Sequence, residues 1–237
     1  MRIALLDSGV RRSHCVFDGA DIEDGKNYIE RSASSGLPDA PYGTKDYLGH
    51  GTFIASLLLA QPGNPLALSG LVPEAVLVPL RCFDGETASC ELLTEAIYDA
   101  VDVYGCDVIL MSWGVPYEDE ALHEAIRYAS DAGLLLIASA GNDGEEGAYY
   151  PAVWPEVVSV GALGPDGKPA SFSETGEAVD VYASGVDLRG AGHTSDRAES
   201  VRSGTSFAAA FAAALAVRLK QENPDAAQAE LFELIKR

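Results

Sequence analysis

Hydrophobic and polar positions follow two rhythms along the 237-residue chain. Short apolar runs appear at RIALLD (2–7), AVLVPLRCF (75–83), DVILMSW (107–113) and LLLIASAG (134–141). Runs of this length, bounded by acids and glycines, read as strands buried on both faces. Between them lie amphipathic stretches. Glu91–Tyr104 places Leu92, Leu93, Ala96, Ile97, Ala100 and Val101 on one helical face, with Ser89 as its N-cap. Asp119–Ala132 reads as a helix whose acidic first turn suits the helix dipole. Gly51–Leu59 reads as a helix beginning at Gly-Thr. VVSVGAL (157–163), ASFS (170–173) and AVDVYA (178–183) read as shorter strands, and helices follow at 205–221 and 225–236. The strand–helix–strand order predicts an α/β protein with a mostly parallel central sheet and helices on both faces. No repeat or low-complexity linker interrupts it, so one domain over 1–237 is expected.

In such sheets, reactive groups gather at the carboxyl ends of strands. Asp7 ends the first strand. His50 lies in Gly49-His50-Gly51-Thr52 at the start of an apolar helix, and Ser206 lies in Gly204-Thr205-Ser206 at the start of another. These are the residue types of nucleophilic acyl transfer. A serine needs a base to take its proton, imidazole serves at neutral pH, and a carboxylate fixes the imidazole tautomer. Singly, each has a structural explanation: Asp7 as a turn residue, His50 as a surface group, Ser206 as a cap. His14, His123 and His193 have no comparable setting and read as structural or exposed.

Together the three resemble the subtilase family of serine proteases. The order Asp, His, Ser and the stretches "ALLDSGV", "GHGTFIASLL" and "SGTSFAAAFAAALA" carry the resemblance. So do "LIASAGNDG" (136–144), "ILMSWG" (109–114), "YYPAVWPEVVSVGAL" (149–163) and "ASFSETGEAVDVYASG" (170–185), which together extend it from Arg2 to about Lys220. The resemblance implies a subtilisin-like three-layer fold and a serine endopeptidase acting through an acyl-enzyme. His50 would deprotonate Ser206, Asp7 would support His50 with help from Ser8, and Asn142 with the Ser206 N–H would hold the oxyanion. An extended peptide would pair with Ser112-Trp113-Gly114 and with Thr87-Ala88-Ser89, while Ser139-Ala140-Gly141 would line the primary specificity pocket. The alternatives are a transamidase using the same acyl-enzyme and a non-catalytic peptide-binding scaffold.

Several positions depart from the family pattern. Tyr149 falls where many relatives have a small residue at the pocket base, which implies a shallow or phenol-lined pocket. Glu145 and Glu146 close by suit Lys or Arg instead, and a hydrophobic or mixed preference is expected. Phe207 and Ala210 replace the usual Met and Pro, and Phe53 replaces a second His. For calcium, the resemblance leaves too few oxygen ligands: Val16 holds the Asp position, with Asp18 two residues on and Asn64 in the later loop. No metal and no cofactor are expected.

Composition narrows the partners. The chain carries 16 Lys and Arg against 36 Asp and Glu, a net charge of −20. Such a field repels nucleic acid and anionic membrane surfaces. No stretch approaches the ~20 apolar residues of a membrane span. Cys15, Cys82, Cys90 and Cys106 match no zinc spacing; four reduced thiols are expected, a Cys82–Cys90 disulfide being the alternative. Neither a signal peptide nor a propeptide is evident, so the expectation is a cytoplasmic enzyme that removes leaders from specific peptide precursors. Oligomeric state is left open.

Overall fold

The structure is a computed structural model and describes residues 1–29, 43–85 and 88–236. Its main sheet is built from β1 (Arg2–Asp7), β2 (Asp21–Ile22), β3 (Lys26–Asn27), β4 (Val76–Arg81), β5 (Val108–Met111), β6 (Leu135–Ser139), β7 (Val158–Leu163) and β8 (Val181–Ser184). The order is β2-β4-β1-β5-β6-β7-β8, with β3 also paired to β4, and every pairing is parallel. The apolar runs at 2–7, 108–111 and 135–139 form its centre and are fully or almost fully buried apart from Arg2.

The period of two along β1 explains why both faces are covered. Ile3 and Leu5 join one core, and Ala4 and Leu6 join the other. The first core is closed by α1 (His50–Leu59), α4 (Thr205–Glu222) and α5 (Gln228–Ile235). The second is closed by α2 (Cys90–Asp102) and α3 (Glu120–Asp131). The result is the expected subtilisin-like three-layer arrangement. In α4 the alanines at 208, 209, 210, 212, 213, 214 and 216 are all buried, and their small side chains let the helix lie close over β5, β6 and β7.

One reading is corrected and one element is added. ASFS (170–173) forms a turn, closed by Ser173 N–H to Ala170 O at 2.9 Å. The Ser173 hydroxyl accepts from Ala162 N at 2.9 Å and donates to Glu174 O, so a side chain replaces the ladder bond that a strand would make. The stretch between 183 and 205, to which no element was assigned, holds an antiparallel hairpin of β9 (Leu188–Ala191) and β10 (Glu199–Arg202). All four cysteines are free thiols, so Cys82 and Cys90 are not joined. Asn64 is used within its own loop, donating to Gln61 O and Leu68 O and accepting from Leu66 N and Leu68 N.

Candidate active site

The carboxyl end of β1 delivers Asp7 into a fully buried position, where its carboxylate faces His50 Nδ1 at 2.9 and 3.0 Å. This contact assigns the tautomer: Nδ1 carries the proton and Nε2 is left as the basic nitrogen. Burial lowers the His50 pKa, and the Arg202 charge lowers it further. The Asp7 charge and hydrogen bond, aided by Asp46, outweigh both, and the net shift is upward from the usual imidazole value. Ser8 N–H also binds Asp7 Oδ1 at 2.7 Å. Ser8 Oγ lies within reach of Asp7 Oδ1 and Asp46 Oδ1, and accepts from Gly51 N at 3.0 Å. Gly51 must be glycine, because a Cβ there would stand 2.2 Å from Gly9 O and 2.9 Å from Asp7 Oδ1.

Asp46 is a site residue that the sequence reading missed. It is buried, and its carboxylate accepts from the N–H groups of Leu48, Gly49 and Thr52 at 2.9, 2.7 and 2.8 Å. It therefore satisfies amide donors at the head of α1, where Gly49 has φ +82° and offers no side chain of its own. The signal available was an acid four residues before a helix-opening histidine.

At the head of α4, Ser206 is buried, and its Oγ donates to Ser112 O at 3.0 Å. Ser112 Oγ returns a hydrogen bond to Ser206 O at 3.0 Å. The resting hydroxyl is thus bonded to the end of β5 rather than to His50. Asn142 Oδ1 accepts from Thr205 N at 2.8 Å and from Thr205 Oγ1 at 3.0 Å. A backbone N–H only donates, so the oxygen end of this amide is assigned, and the NH2 end is left for the cleft.

His50, Ser112, Trp113, Gly114, Ser139, Gly141, Asn142, Tyr149 and Ser206 line one cleft of about 570 Å³, joined by Leu48, Phe83, Gly85, Asp143 and Arg202. The last five were not anticipated. Ala140 lies between two lining residues but is fully buried, its carbonyl accepting from Tyr149 N at 2.9 Å. Ala88 instead lines a neighbouring hollow with Phe83, Trp113 and Tyr117. Ser89 stands at the N-cap position of α2, its carbonyl accepting from Leu93 N, and its side chain makes no cap bond. Thr87 lies outside the described residues. Phe207 packs edge-on against Phe53 with ring centroids 4.8 Å apart, and stands 5.4 Å from the His50 ring. Two of the departures from the family pattern, Phe53 and Phe207, thus form one aromatic pair, with Phe207 beside the histidine. Among the described residues no cluster of His, Cys, Asp or Glu is arranged to hold a metal, and no helix is long and apolar enough to cross a membrane.

A parallel α/β sheet with an Asp–His pair at one helix head and a serine at another defines the subtilisin-like architecture. The chain belongs to the subtilase family: the family described as Subtilase family, Peptidase_S8, matches residues 1–237. It is 31% identical over 221 residues to the thermophilic serine proteinase of Bacillus sp. (strain AK1), covering 93% of this chain and 52% of the relative. It is 32% identical over 195 residues to the major intracellular serine protease of Bacillus subtilis (strain 168), covering 79% of this chain and 59% of the relative. The chain thus spans little more than half the length of these curated relatives. Among solved structures it resembles the prenylagaramide maturation protease PagA, with a TM-score of 0.79, 29% identity, and 98% of this chain and 81% of that one covered.

Proposed function

We propose that this chain is a serine endopeptidase in which Ser206 attacks a peptide carbonyl and His50 acts first as base and then as acid. The observation that carries this reading is the Asp7–His50 contact opening into the same cleft as Ser206 and Asn142. Asp7 holds the tautomer and stabilises the imidazolium. An extended substrate laid along Ser112–Gly114 brings its own N–H to the Ser112 carbonyl and competes with the Ser206 hydroxyl for it. The freed hydroxyl then turns to His50 Nε2. As the tetrahedral oxyanion forms, it meets the Asn142 NH2 and the Ser206 N–H at the head of α4, where the helix dipole also favours negative charge. His50 protonates the leaving amine, and water releases the acyl group.

Peptide maturation is the biological role proposed. The likeness to PagA supports it, as does a cleft narrowed by Tyr149, which suits selected substrates over general degradation. The test is hydrolysis of a diverse peptide library by the wild-type chain and by Ser206→Ala. Cleavage at a restricted set of sequences, lost in the variant, is expected. Broad cleavage of unfolded proteins would refute the maturation role, and cleavage by the variant would refute the mechanism.

A further inference from the structure

The slot beside Ser206 lies between the loop end of β5 at Gly114 and the loop end of β6 at Gly141. Tyr149 and Tyr150 bridge these two ends. Tyr149 N–H binds Ala140 O at 2.9 Å, while Tyr150 exchanges backbone hydrogen bonds with Val115 at 2.8 and 3.1 Å. This bridging aims the Tyr149 side chain into the slot. A Cβ on Gly114 would stand 2.6 Å from Tyr149 Cβ, and a Cβ on Gly141 would stand 2.6 Å from Tyr149 Cδ2. The two glycines are the space that the ring occupies.

The ring is also a partition. On its far side lies a second cavity of about 250 Å³, lined by Glu145, Glu146 and Glu174 together with Tyr149 and Tyr150. Tyr149 is the aromatic wall shared with the catalytic cleft. Its phenol donates to Asp143, and Asp143 is held in turn. Glu174, itself buried, accepts from Asp143 N at 3.2 Å and Glu145 N at 2.7 Å. The Asp143 hydrogen bond raises the phenol pKa, with burial and the charges of Asp143, Glu174 and Glu145 adding to it. The phenol therefore remains a donor through neutral pH. Both ends of the side chain are tied, the backbone to Ala140 and the phenol to Asp143.

We propose that Tyr149 is the specificity-determining residue of the cleft, admitting only Gly, Ala or Ser as the residue whose carbonyl Ser206 attacks. This rests on the protease reading for the identity of the slot. It replaces the hydrophobic or mixed preference with a small-residue one, and the ring separates the open hollow that carries Glu145, Glu146 and Glu174 from the slot. Removing the ring joins the two cavities.

Binding tests this separately from catalysis. In the Ser206→Ala background, fluorescence anisotropy is measured with hexapeptides identical except for Ala, Leu, Phe or Lys on the acyl side of the scissile bond. The background is expected to bind the Ala peptide at least tenfold more tightly than the other three. With Tyr149→Gly added, the large peptides should gain at least tenfold and overtake it. Tyr149→Phe, which keeps the ring between the glycines, should retain the order. Equal binding of Ala and Phe peptides by the background would overturn the proposal, even if the glycine variant failed to fold. Unchanged ratios in a folded glycine variant would overturn it equally. Because no turnover is read, failure here is distinct from failure of Ser206 to react.

Discussion

The two walls of the cleft are built on different plans. On the His50 wall, the acids Asp7 and Asp46 point inward and receive ring and amide N–H groups: His50 and Ser8 for Asp7, and Leu48, Gly49 and Thr52 for Asp46. Each carboxylate holds the imidazole or the helix end that carries it. On the Tyr149 wall, Glu174 reaches back about thirty positions to hold a loop, and Asp143 receives a side chain that fills space. In the proposed mechanism the first wall fixes one geometry for bond-making and the second sets what enters. Substitutions on the first should therefore change rate or stability with little change in selectivity, and substitutions on the second should do the reverse.

The largest effect that would separate the walls is at Ser206. Ser206→Ala should reduce kcat by about 10⁶-fold, as removal of a member of such a unit does, and steady-state hydrolysis of one good substrate measures it. Asp7→Asn follows, with a loss of about 10⁴-fold in kcat. Its pH profile sharpens the point. In the proposed mechanism the working base is neutral His50, and Asp7 raises the His50 pKa by stabilising the charged form. Wild-type kcat/KM should therefore rise with pH through an inflection above the usual imidazole value, and Asp7→Asn should move that inflection down. Asn142→Ala should lower kcat by about 10²–10³-fold with little change in KM, because the amide acts on charge that develops in the transition state. The smallest is Asp46→Ala. Loss of a buried acceptor for three amides should cost about 2 kcal/mol in denaturant unfolding and leave the ratio of Ala to Phe peptide binding unchanged. A change in that ratio would mean that the two walls are not independent.

The first wall was largely legible in the chain because its parts sit within two residues of glycines at strand ends and helix heads, where a local pattern exposes them. Asp7, His50 and Ser206 each carry such a neighbour, and "LIASAGNDG" did the same for Asn142. Asp46 was less visible, since its role is to receive backbone donors and any acid near a helix head could do that. The second wall was legible only as a position. Sequence placed Tyr149 at the pocket base, but whether the phenol stood in the slot or beside it depended on the Val115–Tyr150 bridge and the Asp143 contact. Glu174 was hidden between two stretches read as strands. Arg202, which lines the cleft and donates to Leu48 O on the His50 side, came from a hairpin that the apolar pattern did not reveal. Phe53 and Phe207 stood out separately as departures, and their contact emerged only in three dimensions.

The most direct test of the central claim is labelling of the folded protein with a fluorophosphonate, followed by mass spectrometry of the modified peptide. The account predicts one covalent adduct, on Ser206, formed at a rate that falls as His50 is protonated and abolished in His50→Ala. No adduct in protein shown to be folded, or an adduct whose rate is indifferent to His50, would contradict it.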